Sequence, residues 1–271
     1  MQFILSLFSN LARKRILNRY RAQIPAIRRR QAELTGSDPA AFSATLRQQP
    51  QLNQVDACAN LLVACDQLKG HSFQVLDETL PWHILPFDSQ LLGGLVLFHN
   101  QVAEMATGEG KTLSAVLAAY LSVLSGRKVH IITANDYLAQ RDSIWMKPLF
   151  EKLGCSVGLL QTGQPMPERQ AAYRCDVLYA TASALIFDYL SDNGLIASPE
   201  QRLQQGLDFA IVDEADSVLI DEARTPFAIS GRKDSDLSLY TTLHKPVREV
   251  HKLQADYVGQ LEQSVAEMLA S

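Results

Sequence analysis

A glycine-rich hexapeptide, TGEGKT at residues 107–112, constrains this chain more than any other feature. We predict a short strand at residues 102–105 before it and a helix over residues 112–125 after it. Glycines let backbone N–H groups surround a polyphosphate, and the amino end of a helix adds partial positive charge. The hexapeptide therefore predicts a nucleotide-binding phosphate loop, with a degenerate loop as the alternative.

Two side chains of this loop have distinct expected roles. Lys111 can reach the β- and γ-phosphates of ATP, and the Thr112 hydroxyl can ligate Mg²⁺. The strict form of the motif has glycine where this chain has Met105, a departure that several helicase-like motors share. The predicted contacts to the nucleotide within the loop are Thr107, Gly108, Glu109, Gly110, Lys111 and Thr112.

Two acidic residues follow the apolar segment at residues 209–212, which we predict to be a strand. A strand that ends in acids delivers carboxylates to the edge of a sheet, beside the phosphate loop. There Asp213 would hold the Mg²⁺ shell and Glu214 would orient and deprotonate the attacking water. With Lys111, they form the predicted catalytic set for ATP hydrolysis, although an acidic helix start is an alternative.

Charge is distributed unevenly along a chain of 271 residues with a net charge of −4. Residues 1–30 contain eight basic residues and no acidic residue. Their apolar and basic residues alternate as in an amphipathic helix, which either lies on an anionic membrane surface or packs against its own domain. The four cysteines include no Cys-x-x-Cys pair, so they predict buried thiols rather than a zinc site.

The hydrophobic pattern changes near residue 84. We predict one helix over residues 1–34, with a kink at Pro25, and helical structure over residues 40–80. Beyond residue 84, strands at 129–133, 155–160, 176–179 and 209–212 alternate with helices, including one from Asn135 to Leu153. This alternation is typical of an α/β fold with a parallel sheet between helices. An amphipathic helix is predicted after residue 240.

Four segments resemble the SecA family, the ATP-driven preprotein translocase motors. They are FDSQLLGG at 87–94, AEMATGEGKT at 103–112, NDYLAQRD at 135–142 and VDEADSVLIDEARTP at 212–226. The resemblance implies a RecA-like P-loop NTPase fold of the helicase-like type, with a helical amino-terminal arm and a carboxy-terminal helix. It also implies ATP and Mg²⁺ as cofactors, and a protein-translocating ATPase activity.

The same resemblance implies partners and a location. The partners would be the SecYEG translocon and preproteins, with residues 1–30 as a contact to an anionic membrane surface, and no nucleic acid is expected. The location would be cytoplasmic, with peripheral association to the cytoplasmic face of the inner membrane. The implied domains are a helical arm (1–83), the first RecA-like motor domain (84–231) and the start of a truncated substrate-crosslinking domain (232–271).

Roles for further residues follow from the resemblance. Gln90 would read the adenine base, because an amide both donates and accepts hydrogen bonds; a helix-surface glutamine is the alternative. Asp136, Arg141 and Asp142 would couple the nucleotide site to neighbouring domains, unless they form a solvated helix face. Arg224 would tie the motor core to the substrate-clamping domain, or form a structural ion pair.

Six positions depart from the family pattern, mostly by loss of polar side chains. The family usually has Arg, Arg, Asn, Glu, Gly and Arg where this chain has Leu85, Ala106, Ala182, Ala184, Ile186 and Ser191. The hydrolytic residues remain, so these changes predict a divergent or accessory member with altered coupling. Because a second RecA-like domain would supply an arginine finger, the 271-residue chain alone is expected to hydrolyse ATP very slowly.

Two other functions remain as alternatives. The first is a nucleotide-binding accessory or regulatory protein without motor activity. The second is a DEAD-box-type nucleic-acid helicase, because residues 213–216 read DEAD. The acidic body of the chain argues against the helicase, since tracking a phosphate backbone needs a basic groove.

Overall fold

The computed structural model describes residues 14–194, 202–227 and 238–270. The chain divides into two compact units, residues 1–229 and residues 230–271. The first 13 residues of the predicted amphipathic helix lie outside the described part.

Helices form the first part of the larger unit. The described part of α1 covers residues 14–21, and α2 (Ile24–Glu33), α3 (Pro39–Arg47) and α4 (Gln54–Leu68) follow. The prediction of one helix through residue 34 is wrong, because the chain turns at residues 22–23. Pro25 lies in the first turn of α2, where a helix needs no N–H donor, so it starts a new helix instead of kinking an old one.

An antiparallel ribbon follows α4, where the sequence pattern predicts helix. Strands β1 (Ser72–Val75) and β2 (Glu78–Pro81) pair through a tight turn in which Leu76 adopts a positive φ of 53°. The prediction of helix to residue 80 is therefore wrong beyond Leu68. Gly70, with φ at +80°, takes a left-handed conformation just after α4 that ends the helix.

The remainder of this unit alternates helices and strands. Its elements are α5 (Asp88–Phe98), α6 (Lys111–Leu124), β3 (Val129–Thr133), α7 (Asp136–Lys152), β4 (Val157–Leu159), α8 (Met166–Arg174), β5 (Val177–Thr181), α9 (Ala182–Gly194), β6 (Phe209–Val212), α10 (Ala215–Leu219) and a 3-10 turn (Asp221–Arg224). Asn135 caps α7 by accepting a hydrogen bond from the Leu138 N–H at 2.9 Å, as its sequence position predicts.

Four of these strands form one parallel sheet in the order β4-β5-β3-β6. The predicted parallel sheet is confirmed, and β3 and β6 have the predicted bounds. The predicted strand at residues 102–105 is wrong, because residues 101–106 adopt no regular structure. Among the described residues, β6 is the edge strand of the sheet, and residues 102–105 pair with no strand. A segment without a neighbouring strand leaves its backbone N–H and C=O groups unpaired, which disfavours a strand there.

The amino-terminal helices and the sheet share one hydrophobic core. Buried residues of α2 and α4 belong to the same cluster as those of α6, β3 and β6. A buried polar network joins them: the Asn60 amide donates to the Tyr120 hydroxyl at 2.8 Å, and Ser43 lies 2.7 Å from that hydroxyl. These hydrogen bonds fix α6 to α3 and α4.

The second unit consists, in its described part, of one helix, α11 (Ser238–Ala270). It has 33 residues and contains Pro246, and it confirms the amphipathic helix predicted after residue 240. Across the described residues, no helix is both long enough and apolar enough to cross a lipid bilayer.

Candidate functional site

The hexapeptide at residues 107–112 forms an open loop that leads into α6. Gly108 and Gly110 have φ values of +84° and +76°, which glycine adopts without strain. Gly110 is the residue before the first turn of α6, and residues 106–109 are exposed. The predicted phosphate loop therefore has the required loop-to-helix geometry, reached from irregular backbone instead of a strand.

Several donors in this loop have no acceptor among the described residues. They include the backbone N–H groups of Gly108, Gly110, Lys111 and Thr112, whereas the Glu109 N–H bonds the Ala106 carbonyl at 3.3 Å. The exposed Lys111 ammonium forms no ion pair with any described residue. Unpaired N–H groups at a helix start, together with a free cation, create a site for an anion.

Gln90 contacts the phosphate loop directly. Its side-chain Nε2 donates to the Glu109 carbonyl oxygen at 2.8 Å, and its Oε1 accepts from the Phe87 N–H at 2.9 Å. A Cβ atom at Gly110 would clash with this Nε2 group, so the close approach requires glycine there. One amide hydrogen and one lone pair of Gln90 have no described partner and remain available for the edge of a base.

Close packing of two helices places Gln90 at the loop. A Cβ atom at Gly93 would lie 2.7 Å from Ser114 Oγ, and one at Gly94 would lie 2.7 Å from the Leu117 side chain. These glycines let α5 approach α6, where the Ser114 hydroxyl donates to the Gln90 carbonyl at 3.0 Å. Sequence reasoning missed Ser114, because its contact depends on the packing of two helices.

Glu109 stabilises the loop with both its side chain and its backbone. The carboxylate accepts a hydrogen bond from the Ala106 N–H at 3.3 Å, while the carbonyl accepts from Gln90. In the described structure Glu109 therefore holds the loop's shape, and its predicted contact to a nucleotide stays a prediction.

The two predicted catalytic acids follow β6 directly. The Asp213 N–H continues the sheet by donating to the Ile132 carbonyl at 2.9 Å, and its carboxylate accepts from the Glu214 N–H at 3.0 Å. Glu214 has φ and ψ of 52°, a left-handed conformation that costs a residue with a Cβ atom free energy. Strain of this kind at an exposed acid is common at functional sites.

The loop and the acids form two separate groups in the structure. No hydrogen bond or ion pair among the described residues links residues 107–112 to Asp213 or Glu214.

The described part also contains no cluster of three or more acidic, histidine or cysteine side chains suited to a metal ion. Mg²⁺ commonly takes only one or two protein oxygens, with phosphates and water completing its shell. Thr112 and Asp213 have the right donor chemistry for that arrangement.

Asp142 of α7 is linked electrostatically to this acidic group. Burial raises the pKa of its carboxyl, the neighbouring Arg141 guanidinium at 2.7 Å lowers it, and the charge of Asp213 raises it again. Asp136 has a structural contact instead, because its carboxylate accepts from the Thr162 hydroxyl at 2.6 Å. Asp142 is only 7% exposed, so the alternative that it belongs to a solvated helix face is wrong for this residue.

Other predicted residues have varied surroundings. Arg224 is exposed and forms no ion pair with a described residue, contrary to the alternative that it forms a structural ion pair.

The departures from the family pattern at positions 182, 184, 186 and 191 all lie on α9. The same helix carries Asp188, whose buried carboxylate accepts hydrogen bonds from Arg169 at 2.5 Å and from Tyr173 at 2.7 Å. Asp188 therefore holds α9 against α8.

The basic amino-terminal segment is partly integrated into the domain. Tyr20, Ile24 and Ile27 are buried in the core, as the alternative of packing against the chain's own domain predicts. Arg28 donates to the Asp88 carboxylate at 2.8 Å and to the Pro86 carbonyl at 2.9 Å. Sequence spacing gives no signal of this contact, which fixes the start of the helix that carries Gln90.

Comparison with known proteins identifies the family. The family described as SecA DEAD-like domain matches residues 5–266. This chain belongs to the SecA family. The parallel sheet flanked by helices is consistent with the RecA-like, DEAD-like domain of SecA.

Individual SecA proteins are also similar to this chain. A protein translocase subunit SecA of Chlorobium phaeobacteroides is 48% identical over 209 residues, which cover 75% of this chain and 20% of that protein. Another, from Chloroherpeton thalassium, is 42% identical over 234 residues, or 85% of this chain and 22% of that protein. The chain thus spans about a fifth of the length of these SecA relatives.

Proposed function

We propose that this chain is the nucleotide-binding part of a SecA-type protein translocase motor and binds Mg-ATP at residues 107–112. The observation that carries the proposal is the set of unpaired donors at the start of α6. The N–H groups of Gly108, Gly110 and Thr112 have no acceptor among the described residues, and the Lys111 ammonium has no ion-pair partner there. A polyphosphate is the ligand that uses all of these donors at once.

Gln90 would read the adenine base while it holds the loop. Its remaining N–H and lone pair match the adjacent acceptor and donor on an adenine edge. Its bond to the Glu109 carbonyl makes the loop's shape depend on the position of this amide. Binding of the base and of the phosphates would therefore be linked through one side chain.

Hydrolysis would use the acids after β6. The Thr112 hydroxyl and the Asp213 carboxylate would hold Mg²⁺, whose positive charge would offset the negative charge of the phosphates. Glu214 would orient the attacking water and accept its proton. Because a second RecA-like domain would supply the arginine finger, this chain alone would turn over slowly.

The partners and location proposed for the chain come from the family and not from its own geometry. SecYEG and preproteins would be the partners of the complete protein, on the cytoplasmic face of the inner membrane. Residues 1–30 would add a contact to anionic lipid. The division into residues 1–83, 84–231 and 232–271 stays a proposal of the same kind.

Titration of the full chain with Mg-ATP by isothermal calorimetry tests the nucleotide site. We expect saturable binding, and at least tenfold weaker binding in Lys111→Ala because a charge-assisted contact is lost. Lys147→Ala, an exposed lysine on α7, is the matched control and should bind as the unaltered chain does. Absence of saturable binding, or equal affinity in Lys111→Ala, would contradict the site.

Steady-state phosphate release then separates binding from catalysis. Glu214→Gln should keep nucleotide affinity and abolish the slow turnover. Fast turnover that survives this substitution would overturn the assigned role. Tight binding without turnover, even when a second RecA-like domain is added, would favour an accessory protein, whereas salt-sensitive stimulation by RNA would favour a helicase.

A further inference from the structure

A cavity lies at the edge of the sheet opposite the acids that follow β6. Its lining comes from the carboxyl ends of α3 and α6 and from residues that precede β3 and β5. Lys128 directly precedes β3 and Asp176 directly precedes β5, so the cavity lies at the amino ends of these parallel strands. Its volume of about 550 Å³ is within the ordinary range for pockets that bind small molecules.

Arg127, in the cavity wall, is a partly buried cation without a polar partner. Its guanidinium carbon lies 4.5 Å from the centre of the Phe209 ring and 5.1 Å from that of the Phe98 ring. Burial lowers the pKa of this guanidinium, and the charge of Asp208 partly opposes the shift. Its side-chain N–H groups have no hydrogen-bond acceptor or ion pair among the described residues. A partly desolvated charge without an acceptor is costly, and an anionic ligand would remove that cost.

Two further cations of the wall are held in place by backbone carbonyls. Arg47 donates through Nη2 to the Gly154 carbonyl at 3.2 Å, and Lys128 donates through Nζ to the carbonyls of Arg174 at 2.6 Å and Cys175 at 3.0 Å. These bonds leave the Nε and Nη1 groups of Arg47 and one hydrogen of Lys128 without a described acceptor. Neither cation has an ion pair within the described part of the chain.

Asp176 is the one acidic residue among those that line this cavity. Its Oδ2 atom accepts hydrogen bonds from the Ser156 N–H at 2.9 Å and from the Ser156 hydroxyl at 2.8 Å, so part of its capacity to accept is already used. Three basic residues against one acidic residue leave the wall with an excess of positive charge. The cavity therefore favours an anion.

We propose that this cavity binds the phosphate group of a phosphate monoester. The planar fork of arginine matches phosphate oxygens, and a tetrahedral phosphate has three terminal oxygens to share among three cations from two segments of the chain. Leu52, Val123 and Leu124 add apolar wall for the organic part of the ester. A soluble ester and the headgroup of phosphatidic acid both carry this phosphate, and the experiments below separate the two sources.

Isothermal calorimetry with phenyl phosphate tests the soluble source. The full chain carries Lys111→Ala, so that the cation of the phosphate loop does not hold the same anion. We expect saturable binding that Arg127→Gln weakens at least tenfold, because a charge-assisted contact is lost. The matched control is Arg29→Gln, at an exposed arginine of α2 outside the cavity lining, which should leave the affinity unchanged.

A second variant guards against loss of folding in Arg127→Gln, since this arginine packs on two rings. Arg47→Gln changes an exposed cation of the same wall and should also weaken binding severalfold. Circular dichroism establishes that each variant is folded before its titration. Phenyl phosphate that binds with the same affinity in both folded variants would overturn the proposal.

Co-sedimentation with vesicles tests the lipid source. Vesicles of phosphatidylcholine with phosphatidic acid, which carries a phosphate monoester, are compared with vesicles that contain phosphatidylglycerol, which carries only a diester. The basic amino-terminal segment would attract both surfaces, so the decisive quantity is the extra binding to phosphatidic acid that Arg127→Gln and Arg47→Gln remove. That extra binding without binding of phenyl phosphate would assign the site to a lipid headgroup.

Binding of neither probe would overturn the proposal. So would equal binding to the two kinds of vesicle when phenyl phosphate does not bind. Neither result bears on the nucleotide site, because that site is tested with Mg-ATP in a chain that keeps Lys111.

Discussion

At the scale of single residues, the site combines strain with unpaired groups. Glu214 is an exposed acid in a left-handed conformation, and Lys111 is an exposed cation without an ion pair among the described residues. Neither feature favours folding. Both are understandable if these residues are placed for a ligand and a reaction.

Substituting Glu214 tests whether its backbone conformation lowers stability while its side chain serves function. Glu214→Gly should raise the free energy of unfolding by about 1 kcal/mol, because glycine adopts the left-handed conformation without a Cβ penalty. The same variant should lose ATP turnover. Urea unfolding followed by circular dichroism measures the first effect. Asp216→Gly, within helix α10, is the control and should destabilise the chain instead. If Glu214→Gly lowers the free energy of unfolding, the inference of backbone strain at Glu214 is wrong.

His130 predicts a specific pH dependence of stability. Burial lowers the pKa of this histidine from its ordinary value of 6.5, and the charge of Asp208 partly opposes the shift. The unfolded chain therefore binds the proton first as the pH falls, and stability present above pH 6.5 is lost below it. Unfolding free energies measured between pH 7.5 and 5.5, about one unit either side, should fall less in His130→Leu than in the unaltered chain. If the free energy of unfolding falls equally with pH in the two proteins, His130 does not contribute to the pH dependence of stability.

At the scale of elements, the contact between α5 and α6 controls the site. Gly94 brings the helices together, and the Ser114 hydroxyl then reaches the Gln90 carbonyl at 3.0 Å. Because Gln90 bonds the Glu109 carbonyl, a change in helix separation is transmitted to the phosphate loop. The loop's geometry is thus set by helix packing several residues away.

Gly94→Ala tests that dependence. The added methyl group would overlap the buried Leu117 side chain, so we expect a loss of about 1–3 kcal/mol in the free energy of unfolding. Weaker nucleotide binding should accompany it, measured by calorimetry at a temperature where the variant is folded. Gly194→Ala adds the same methyl group where nothing lies within 4 Å and should leave both quantities nearly unchanged.

Sequence alone predicts the elements whose signals are local. Strand β3 is a short apolar run, and α7 has both a capping Asn135 and a following Gly154, so their bounds follow from the pattern. Residues 102–105 are equally apolar, yet a strand also needs a partner strand, which no local pattern encodes. The sequence predicts a base-reading role for Gln90, which stays a prediction, and it gives no sign of the bond from Gln90 to Glu109, which depends on the approach of two helices at Gly93 and Gly94.

At the scale of the whole molecule, the amino-terminal helices and the sheet unit share one core. Asn60 of α4 bonds Tyr120 of α6, and both are fully buried. A polar network inside a common core favours cooperative unfolding, because no layer of solvent separates the two parts. The boundary near residue 84 would then be one of sequence pattern and not of folding.

The two tryptophans test that cooperativity. Trp82 follows the β-ribbon and is buried, while Trp145 lies on α7 and packs, partly buried, against the hydrophobic core. Single-tryptophan variants, Trp145→Phe and Trp82→Phe, should each show one fluorescence transition that coincides with that variant's own circular dichroism transition in urea. Fluorescence of Trp82 that changes at a lower urea concentration than the circular dichroism would instead indicate an amino-terminal region that unfolds independently.

Strand β6 has one long side without a neighbouring strand in the described sheet, although it carries the buried Phe209 and Ile211. A row of peptide groups that pairs with no neighbouring strand can pair with the edge strand of another molecule, which is a common route to aggregation. The acids that follow the strand, Asp213 and Glu214, oppose such pairing through charge repulsion. Storage of this chain at high concentration, or at a pH low enough to protonate those acids, should therefore favour insoluble material that retains helical secondary structure.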